Sequence, residues 1–215
     1  MRSLLTMTMT LMLLLALPAL AETVRIDCIG TVEYSQISSG VFAPVSSGDD
    51  VLATFTVDSD DYIDSVSYGV RSFPIDLASF ELTIGSVGPV ALVMPQPDGL
   101  TTYFNLRNDD PGADGFFLAN NPEWPSVFPS LDVPGGLDPY FNFHWEVGYT
   151  GDTLDSRDIL QALGSYDYTG LTSFYTVIGD AWADPIGMEY VSMVISTESV
   201  ATEQSSWSGV KALFE

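Results

Sequence analysis

Short runs in which apolar and polar residues alternate recur along this chain, and each run ends at turn-forming residues. The first run, residues 24–34, places on one face Val24, Ile26, Cys28, Val32 and Tyr34. Comparable runs occupy residues 51–57, 79–84, 101–106, 115–119, 141–149 and 188–195. Side chains of a β-strand share a face at a period of two, and Gly, Pro and Asp clusters favour antiparallel connections. The pattern predicts an all-β fold, an antiparallel β-sandwich or jelly-roll-like architecture.

One segment breaks the alternation. Asp155 is a favourable N-cap residue, and Gly164 is a favourable C-terminal stop. Between them lies an apolar stripe that comprises Ile159, Leu160 and Leu163. The spacing predicts one short α-helix over residues 155–163, packed with this stripe against the sheet.

The first residues have the composition of a secretory signal peptide. Arg2 precedes an apolar stretch that ends at Pro18, and a small-x-small cleavage motif follows at residues 19–21. Because the stretch is shorter than the roughly 20 residues of a spanning helix, we expect cleavage before Glu22 and no membrane span in the mature chain. We expect export to the periplasm, the cell surface or the extracellular space. The predicted organisation is a signal peptide at 1–21, a β-sandwich domain at 22–197 and a C-terminal tail at 198–215.

The charge of the chain restricts its partners. It carries 29 acidic and 6 basic residues, a formal net charge of −23 at pH 7. Such a surface repels nucleic acid and anionic membranes, so neither is expected as a partner. The charge indicates either a solvated, soluble surface or an acidic patch that binds cations.

Several segments together resemble a known class of protein. They are residues 30–32, 47–51, 54–58, 68–69, 80–85, 107–110 and 114–116. Their order resembles that of exported bacterial β-sandwich domains that often carry a C-terminal PEP-CTERM sorting signal, and the likeness covers residues 23–197. The resemblance implies a surface or matrix protein. The chain departs from that class at its C-terminus, where Val-Pro-Glu-Pro, an apolar helix and an arginine cluster are absent.

The tail has a pattern of its own. Its apolar and basic residues at helical spacing are Trp207, Val210, Lys211 and Phe214. They resemble the short Trp-x-x-x-Lys-x-x-aromatic tails of other exported bacterial proteins. We expect this segment either to dock onto the domain or to meet a partner such as sorting machinery, because so short a helix is marginal alone in water.

The sequence lacks the motifs of common enzymes. His144 is the only histidine, and alternation places it on the strand face opposite Phe143 and Trp145. The nucleophile elbow, the zinc motifs and the glycine-rich nucleotide loops are all missing. We therefore predict no catalytic residue and no enzymatic activity. A glycosidase remains the alternative because it needs only two carboxylates, and Glu146 is the candidate acid.

Two clusters of carboxylates are candidate calcium sites, since hard cations take several oxygen ligands. The first cluster is Asp58, Asp60 and Asp61, together with Asp64, and the second is Asp109, Asp110 and Asp114. Neither has the spacing of an EF-hand loop. Asp is also an ordinary turn residue that binds its own backbone, so plain turns are the competing interpretation and no cofactor is otherwise expected.

Exposed aromatic residues could form stacking platforms for a glycan. The candidates are Trp124, Tyr140, Tyr175 and Trp182. Core packing is the competing interpretation of such residues in a sandwich. The sequence therefore predicts a non-enzymatic exported surface, matrix or ligand-binding module with a cell-surface, matrix or glycan partner. The alternative is a calcium-assisted carbohydrate-binding module.

Overall fold

Twelve antiparallel strands form the protein in the computed structural model, which describes residues 21–110, 112–135, 138–180 and 183–197. The strands are β1 (Thr23–Ser35), β2 (Asp50–Asp58), β3 (Ile63–Asp64), β4 (Val70–Pro74), β5 (Glu81–Ile84), β6 (Val87–Val90), β7 (Tyr103–Arg107), β8 (Ala113–Ala119), β9 (Asn142–Thr150), β10 (Gly164–Tyr166), β11 (Leu171–Asp180) and β12 (Ala183–Thr197). Strands make up 52% of the chain. The prediction of an all-β antiparallel fold is therefore confirmed.

The strands belong to one continuous sheet that curls into a half-barrel. Its order is β3-β4-β7-β8-β9-β11-β12-β1-β2-β5-β6, with β10 paired to β12. The curl brings distant strands together on the inner face: Phe55 of β2 meets Phe104 of β7 edge-on, with ring centroids 5.6 Å apart. Phe80 likewise meets Phe143 at 5.9 Å. The finer assignment to a sandwich or jelly roll stays a prediction.

The central strand β1 shows how alternation builds the core and where it fails. Val24, Ile26 and Cys28 are buried on the inner face, as predicted. Tyr34 was expected beside them, but it is 38% exposed. A register shift between Val32 and Tyr34 adds one residue to the strand, and a one-residue slip moves the following side chain to the opposite face. The prediction for Tyr34 was wrong for this reason.

The predicted α-helix over residues 155–163 is also wrong. The segment forms a turn, and the described part of the chain contains no α-helix. The helices that the described residues do form are two short 3-10 segments, Leu77–Ser79 and Pro97–Gly99. Ile159 is fully buried as expected, whereas Leu160 and Leu163 are exposed. In the part of the chain that the structure describes, no helix is long and apolar enough to cross a bilayer.

Side-chain hydrogen bonds explain why this segment does not continue as a helix. The backbone N–H of Asp158 donates to Ser156 Oγ at 3.1 Å, and that of Leu160 donates to Asp158 Oδ1 at 3.0 Å. Only one hydrogen bond of this segment has α-helical spacing, from the N–H of Ala162 to the carbonyl of Asp158 at 3.2 Å. Ser and Asp side chains that satisfy nearby backbone groups compete with helix formation. The residues with the best capping chemistry thus stabilise a turn instead.

Candidate functional site

A row of side chains crosses five strands on the outer face of the sheet. It runs in register through Ser72, Asn105, Phe117, Glu146 and Tyr175, on β4, β7, β8, β9 and β11. Residues directly opposite each other in an antiparallel sheet point to the same face. With neighbouring strands about 4.8 Å apart, the four steps of the row cover about 19 Å.

The loop of residues 120–129, the first part of the connection from β8 to β9, covers part of this face. The Ser72 hydroxyl donates to the carbonyl of Pro122. Farther along the loop, the Phe128 ring stacks on His144, with ring centroids 3.4 Å apart. The outer face also carries a second, smaller cluster of buried apolar residues, which consists of Val70, Phe117 and Ala119.

His144 points to the outer face, as the alternation predicts, but it is not simply exposed to solvent. Phe128 covers the imidazole, and its Nδ1 is buried without a hydrogen-bond partner among the described residues. Burial lowers the pKa of His144 to about 4, and the negative charge of Asp184 opposes this shift only in part. The imidazole is therefore neutral at ordinary pH.

Arg107 and Glu146 form the charged centre of the outer face. Arg107 Nη2 lies 3.6 Å from Glu146 Oε1, which is longer than a hydrogen bond. Arg107 Nε is buried and, among the described residues, has no partner. Burial raises the pKa of Glu146, and the Arg107 charge opposes that shift. Within the described part of the chain, the two side chains face each other without a direct hydrogen bond.

Two glycines allow the Arg107 guanidinium to lie close to the sheet. Gly115 and Gly148 face each other on β8 and β9. A Cβ atom at Gly115 would lie 3.1 Å from Arg107 Nη2, and one at Gly148 would lie 3.7 Å from it. The space that side chains would occupy is filled by the Arg107 guanidinium, and both glycines are buried.

An exposed pair of rings, here called the aromatic shelf, lies where the β3–β4 hairpin meets the loop of residues 120–129. It consists of Tyr68, in the β3–β4 hairpin, and Trp124, in the covering loop. Their ring centroids are 6.0 Å apart, with the planes inclined by 50°. Tyr68 is 41% exposed and Trp124 53% exposed. Ser65 Oγ donates to Glu123 Oε1 at 3.1 Å and so ties the hairpin to the loop.

Tyr175 lies at the far end of the cross-strand row. The residue is 44% exposed, and its hydroxyl donates to Asp184 Oδ2 at 2.5 Å. Burial, followed by the interaction with Asp184, raises the pKa of Tyr175 to about 12. The phenol therefore stays protonated, and its ring presents a fixed apolar surface to solvent.

The predicted calcium ligands of the first cluster lie near the end of β2. Asp58, Asp61 and Asp76 line an open cleft of about 340 Å³. Asp58 Oδ1 accepts the backbone N–H of Asp60 at 2.8 Å. The neighbouring Asp64 instead accepts two hydrogen bonds from Arg71, at 2.8 and 2.9 Å, and this interaction lowers the pKa of Asp64.

The second predicted cluster is divided between a turn and a buried carboxylate. Asp109 and Asp110 lie in the connection from β7 to β8, whereas Asp114 is fully buried. Asp114 Oδ1 accepts the N–H of Asp109 at 2.9 Å, and its Oδ2 accepts those of Thr153 and Leu154 at 2.8 and 2.6 Å. Within the described ranges no group of three His, Cys, Asp or Glu residues is arranged to hold a metal. Calcium binding stays a prediction.

The predicted aromatic platforms and tail residues lie partly on the outer face and partly outside the described residues. Trp124 and Tyr175 are exposed on the outer face, while Tyr140 is partly buried. Outside the described residues lie Trp182 and the tail residues Trp207, Val210, Lys211 and Phe214. The signal-peptide prediction also falls almost wholly outside them.

Sequence reasoning missed Arg107, Tyr68 and Phe128. Arg107 did carry a signal, because it is one of only 6 basic residues in the chain and borders a predicted strand. Tyr68 and Phe128 lie outside the strands, where no periodicity indicates which way a side chain points. Their roles depend on the path of the loop over the sheet.

No protein-family model, curated protein or solved structure matches the chain. Inferences about its function therefore depend on the geometry of the outer face. That face combines the exposed rings of Tyr68, Trp124 and Tyr175 with the partly buried charges of Arg107 and Glu146.

Proposed function

We propose that the chain is an exported, non-enzymatic β-sandwich-like module that binds a neutral carbohydrate on the outer face of its sheet. The aromatic shelf is the observation that supports this most. Its two rings are in contact yet about half exposed, and ligand sites typically combine such apolar surfaces with a few well-placed polar groups. Tyr and Trp offer both an apolar ring and a polar edge.

The charges of the protein favour a neutral ligand. With a net charge of −23, the surface repels polyanions. A neutral sugar incurs no such penalty, and its hydroxyl groups can both donate and accept hydrogen bonds. Arg107 and Glu146, whose side chains are 15% and 27% exposed, supply donors and acceptors on the same face of the sheet. Hydrogen bonds with ionised partners are the stronger ones, so this pair would add both affinity and orientation.

A binding role fits this surface better than catalysis. Glycoside hydrolysis ordinarily uses two carboxyl groups that flank one bond. Glu146, the candidate acid, instead faces the guanidinium of Arg107. His144 is covered by Phe128. Incubation with neutral polysaccharides, followed by assay of reducing ends, tests this part of the proposal, and turnover above background would contradict it.

A glycan array of neutral oligosaccharides and polysaccharides tests the binding function. We expect the wild-type protein to bind at least one neutral glycan, and we expect Trp124→Ala to weaken that binding tenfold or more. The matched control is Phe174→Ala, which removes another exposed ring, 41% accessible, from elsewhere on the protein. The proposal fails if no neutral glycan binds or if both variants bind equally.

We further propose that the tail at 198–215 meets a partner that retains the exported protein, as its sequence pattern suggests. Deletion of these residues should leave the melting temperature of the domain unchanged and alter its distribution between cell surface and medium. Fractionation followed by immunoblotting measures that distribution. Identical localisation of the two forms would argue against a role in retention.

A further inference from the structure

Tyr34 and Tyr175 are exposed rings on the part of the outer face where β1, β12 and β11 lie side by side. Tyr34 is paired with Gly187, and Gly187 is paired with Val177 of β11. A Cβ atom at Gly187 would overlap with the outer edge of the Tyr34 ring. The ring of Tyr34 therefore reaches across β12, over a strand position that has no side chain of its own.

Tyr175 is held beside this glycine by contacts on β9 and β12. Its ring lies 5.8 Å from that of His144, centroid to centroid, and its hydroxyl donates to Asp184 Oδ2 at 2.5 Å. Burial, then Asp184 and finally Tyr34 raise the pKa of Tyr175 to about 12. The two phenols are therefore within electrostatic range of each other, and both are near the Asp184 carboxylate.

The negative charge of Asp184 has no counter-ion among the described residues. The four arginines in these ranges pair with other carboxylates: Arg25 with Asp27, Arg71 and Arg157 with Asp64, and Arg107 with Glu146. His144, which touches Tyr175, is neutral at ordinary pH because burial lowers its pKa to about 4. The described residues thus place two exposed rings beside a carboxylate and supply no positive charge to neutralise it.

We propose that Tyr34, Tyr175 and Asp184 form a binding site for an alkylated ammonium cation of the choline type. The face of a tyrosine ring attracts such cations, which aromatic sites bind in many proteins. A quaternary ammonium group has no N–H to satisfy, so it suits a carboxylate that already accepts a hydrogen bond from Tyr175. The net charge of −23 attracts cations over a longer range. This inference does not depend on the carbohydrate function proposed above.

A comparison of choline with its neutral isostere tests the role of the charge. The isostere is 3,3-dimethylbutan-1-ol, in which carbon replaces the nitrogen and the shape is kept. Chemical-shift titration of the mature chain, residues 22–215, measures both dissociation constants. We expect choline to bind about tenfold more tightly or better, because the neutral alcohol lacks the attraction to the rings and to the carboxylate.

Variants assign the binding to these three side chains. Tyr34→Ala and Tyr175→Ala should each weaken choline binding about tenfold, whereas Tyr175→Phe, which keeps the ring, should stay within about threefold of wild type. Asp184→Asn should weaken it about fivefold or more through the lost charge. The matched controls are Phe174→Ala, on the neighbouring residue of β11, and Asp98→Asn, which removes an exposed charge elsewhere. Both controls should bind choline as the wild type does.

The inference is overturned if choline does not bind, if the neutral alcohol binds as tightly, or if Asp98→Asn has the same effect as Asp184→Asn. The last result would mean that only the overall charge attracts the cation. Cooperative thermal melts would establish that the variants are folded, and if Tyr34→Ala does not fold, Tyr175→Ala and Asp184→Asn decide the outcome.

Two further measurements define the ligand and separate the proposals. If choline binds, co-sedimentation with phosphatidylcholine vesicles identifies a lipid headgroup as the source of the cation, and its absence identifies a free solute; the inference holds in both cases. Trp124→Ala should leave choline binding unchanged while it weakens glycan binding. Failure of the cation site therefore leaves carbohydrate binding intact, and the reverse is also true.

Discussion

The inner and outer faces of the same strands use aromatic rings in opposite ways. On the inner face Phe104 packs between Phe55 and Phe116, with centroid distances of 5.6 and 5.9 Å. On the outer face Tyr68 and Trp124 are 6.0 Å apart and remain about half exposed. Similar ring contacts therefore exclude water on one face and leave apolar surface available to a ligand on the other.

Buried polar atoms occur on both faces. Arg107 Nε and His144 Nδ1 on the outer face, and Thr176 Oγ1, whose residue pairs with Trp145 on the inner face, have no partner within the described residues. The contrast between the faces is therefore one of exposed and buried rings. Substitutions of the buried inner rings should reduce stability, and those of the exposed outer rings should reduce binding.

The largest expected effect comes from the inner face. Phe104→Ala should lower the free energy of unfolding by about 3–5 kcal/mol, because it removes a fully buried ring and leaves a cavity. Urea denaturation followed by fluorescence measures the change. Tyr175→Ala on the outer face should cost about 1 kcal/mol or less, and equal losses in the two variants would remove the contrast between the faces.

His144 should make stability depend on pH. Its pKa is about 4 in the folded state and about 6.5 when unfolded. The unfolded chain therefore binds the proton first. The contribution of the neutral, buried imidazole to the free energy of unfolding is fully present above pH 6.5 and is lost as the pH falls through 4. Between pH 7 and pH 4 the wild type should lose about 3 kcal/mol more than His144→Gln.

The covering ring provides the control for that measurement. Phe128→Ala uncovers the imidazole, so the folded pKa of His144 should return toward its ordinary value and the pH-dependent loss should shrink. Chemical denaturation at a series of pH values, compared among the three proteins, gives the result. If His144→Gln follows the wild-type curve, burial of His144 does not control this part of the pH dependence.

Asp114 tests a buried polar group that does have partners. Asp114→Asn keeps the size of the side chain but places an amide donor among three backbone N–H groups. We expect a loss of about 2 kcal/mol, because charge-assisted bonds are lost and a buried donor is left unsatisfied. The melting temperature and the unfolding free energy report it. An unchanged free energy of unfolding in Asp114→Asn would indicate that the connection between β7 and β8 rearranges.

Of the changes considered, the addition of calcium should have the smallest effect on the melting temperature. Several carboxylates of the two clusters already accept backbone or arginine hydrogen bonds, so we expect the melting temperature to differ by about 1 °C or less between chelator and calcium. A ligand that binds only the folded state raises its stability. A rise of several degrees, abolished by Asp61→Asn, would instead establish the calcium-assisted alternative.

The strands could be predicted from the sequence wherever alternation is regular. The outward orientation of His144 and the burial of Phe143 and Trp145 follow directly from the period of two. Tyr34 could not be placed, because a bulge changes the face without leaving a clear mark in composition. Residues 155–163 were misread because capping residues also stabilise turns.

The candidate site was far less predictable. Trp124 and Tyr175 could be named as exposed aromatic residues, but nothing local indicates that Tyr175 lies in one row with Ser72. Such rows depend on the register between strands that are far apart in the chain, and register is set by the whole sheet. The pairing of Arg107 with Glu146 is hidden for the same reason.

The two ends of the sheet affect how copies of this protein can meet. At one end β3 has only two residues, and at the other β6 has four, one of which is Pro89 and lacks an N–H donor. Short or proline-containing margins are poor templates for adding a foreign strand. Copies of the protein should therefore stay discrete at high concentration, and any ordered assembly they form would have to be built through side chains rather than by sheet extension.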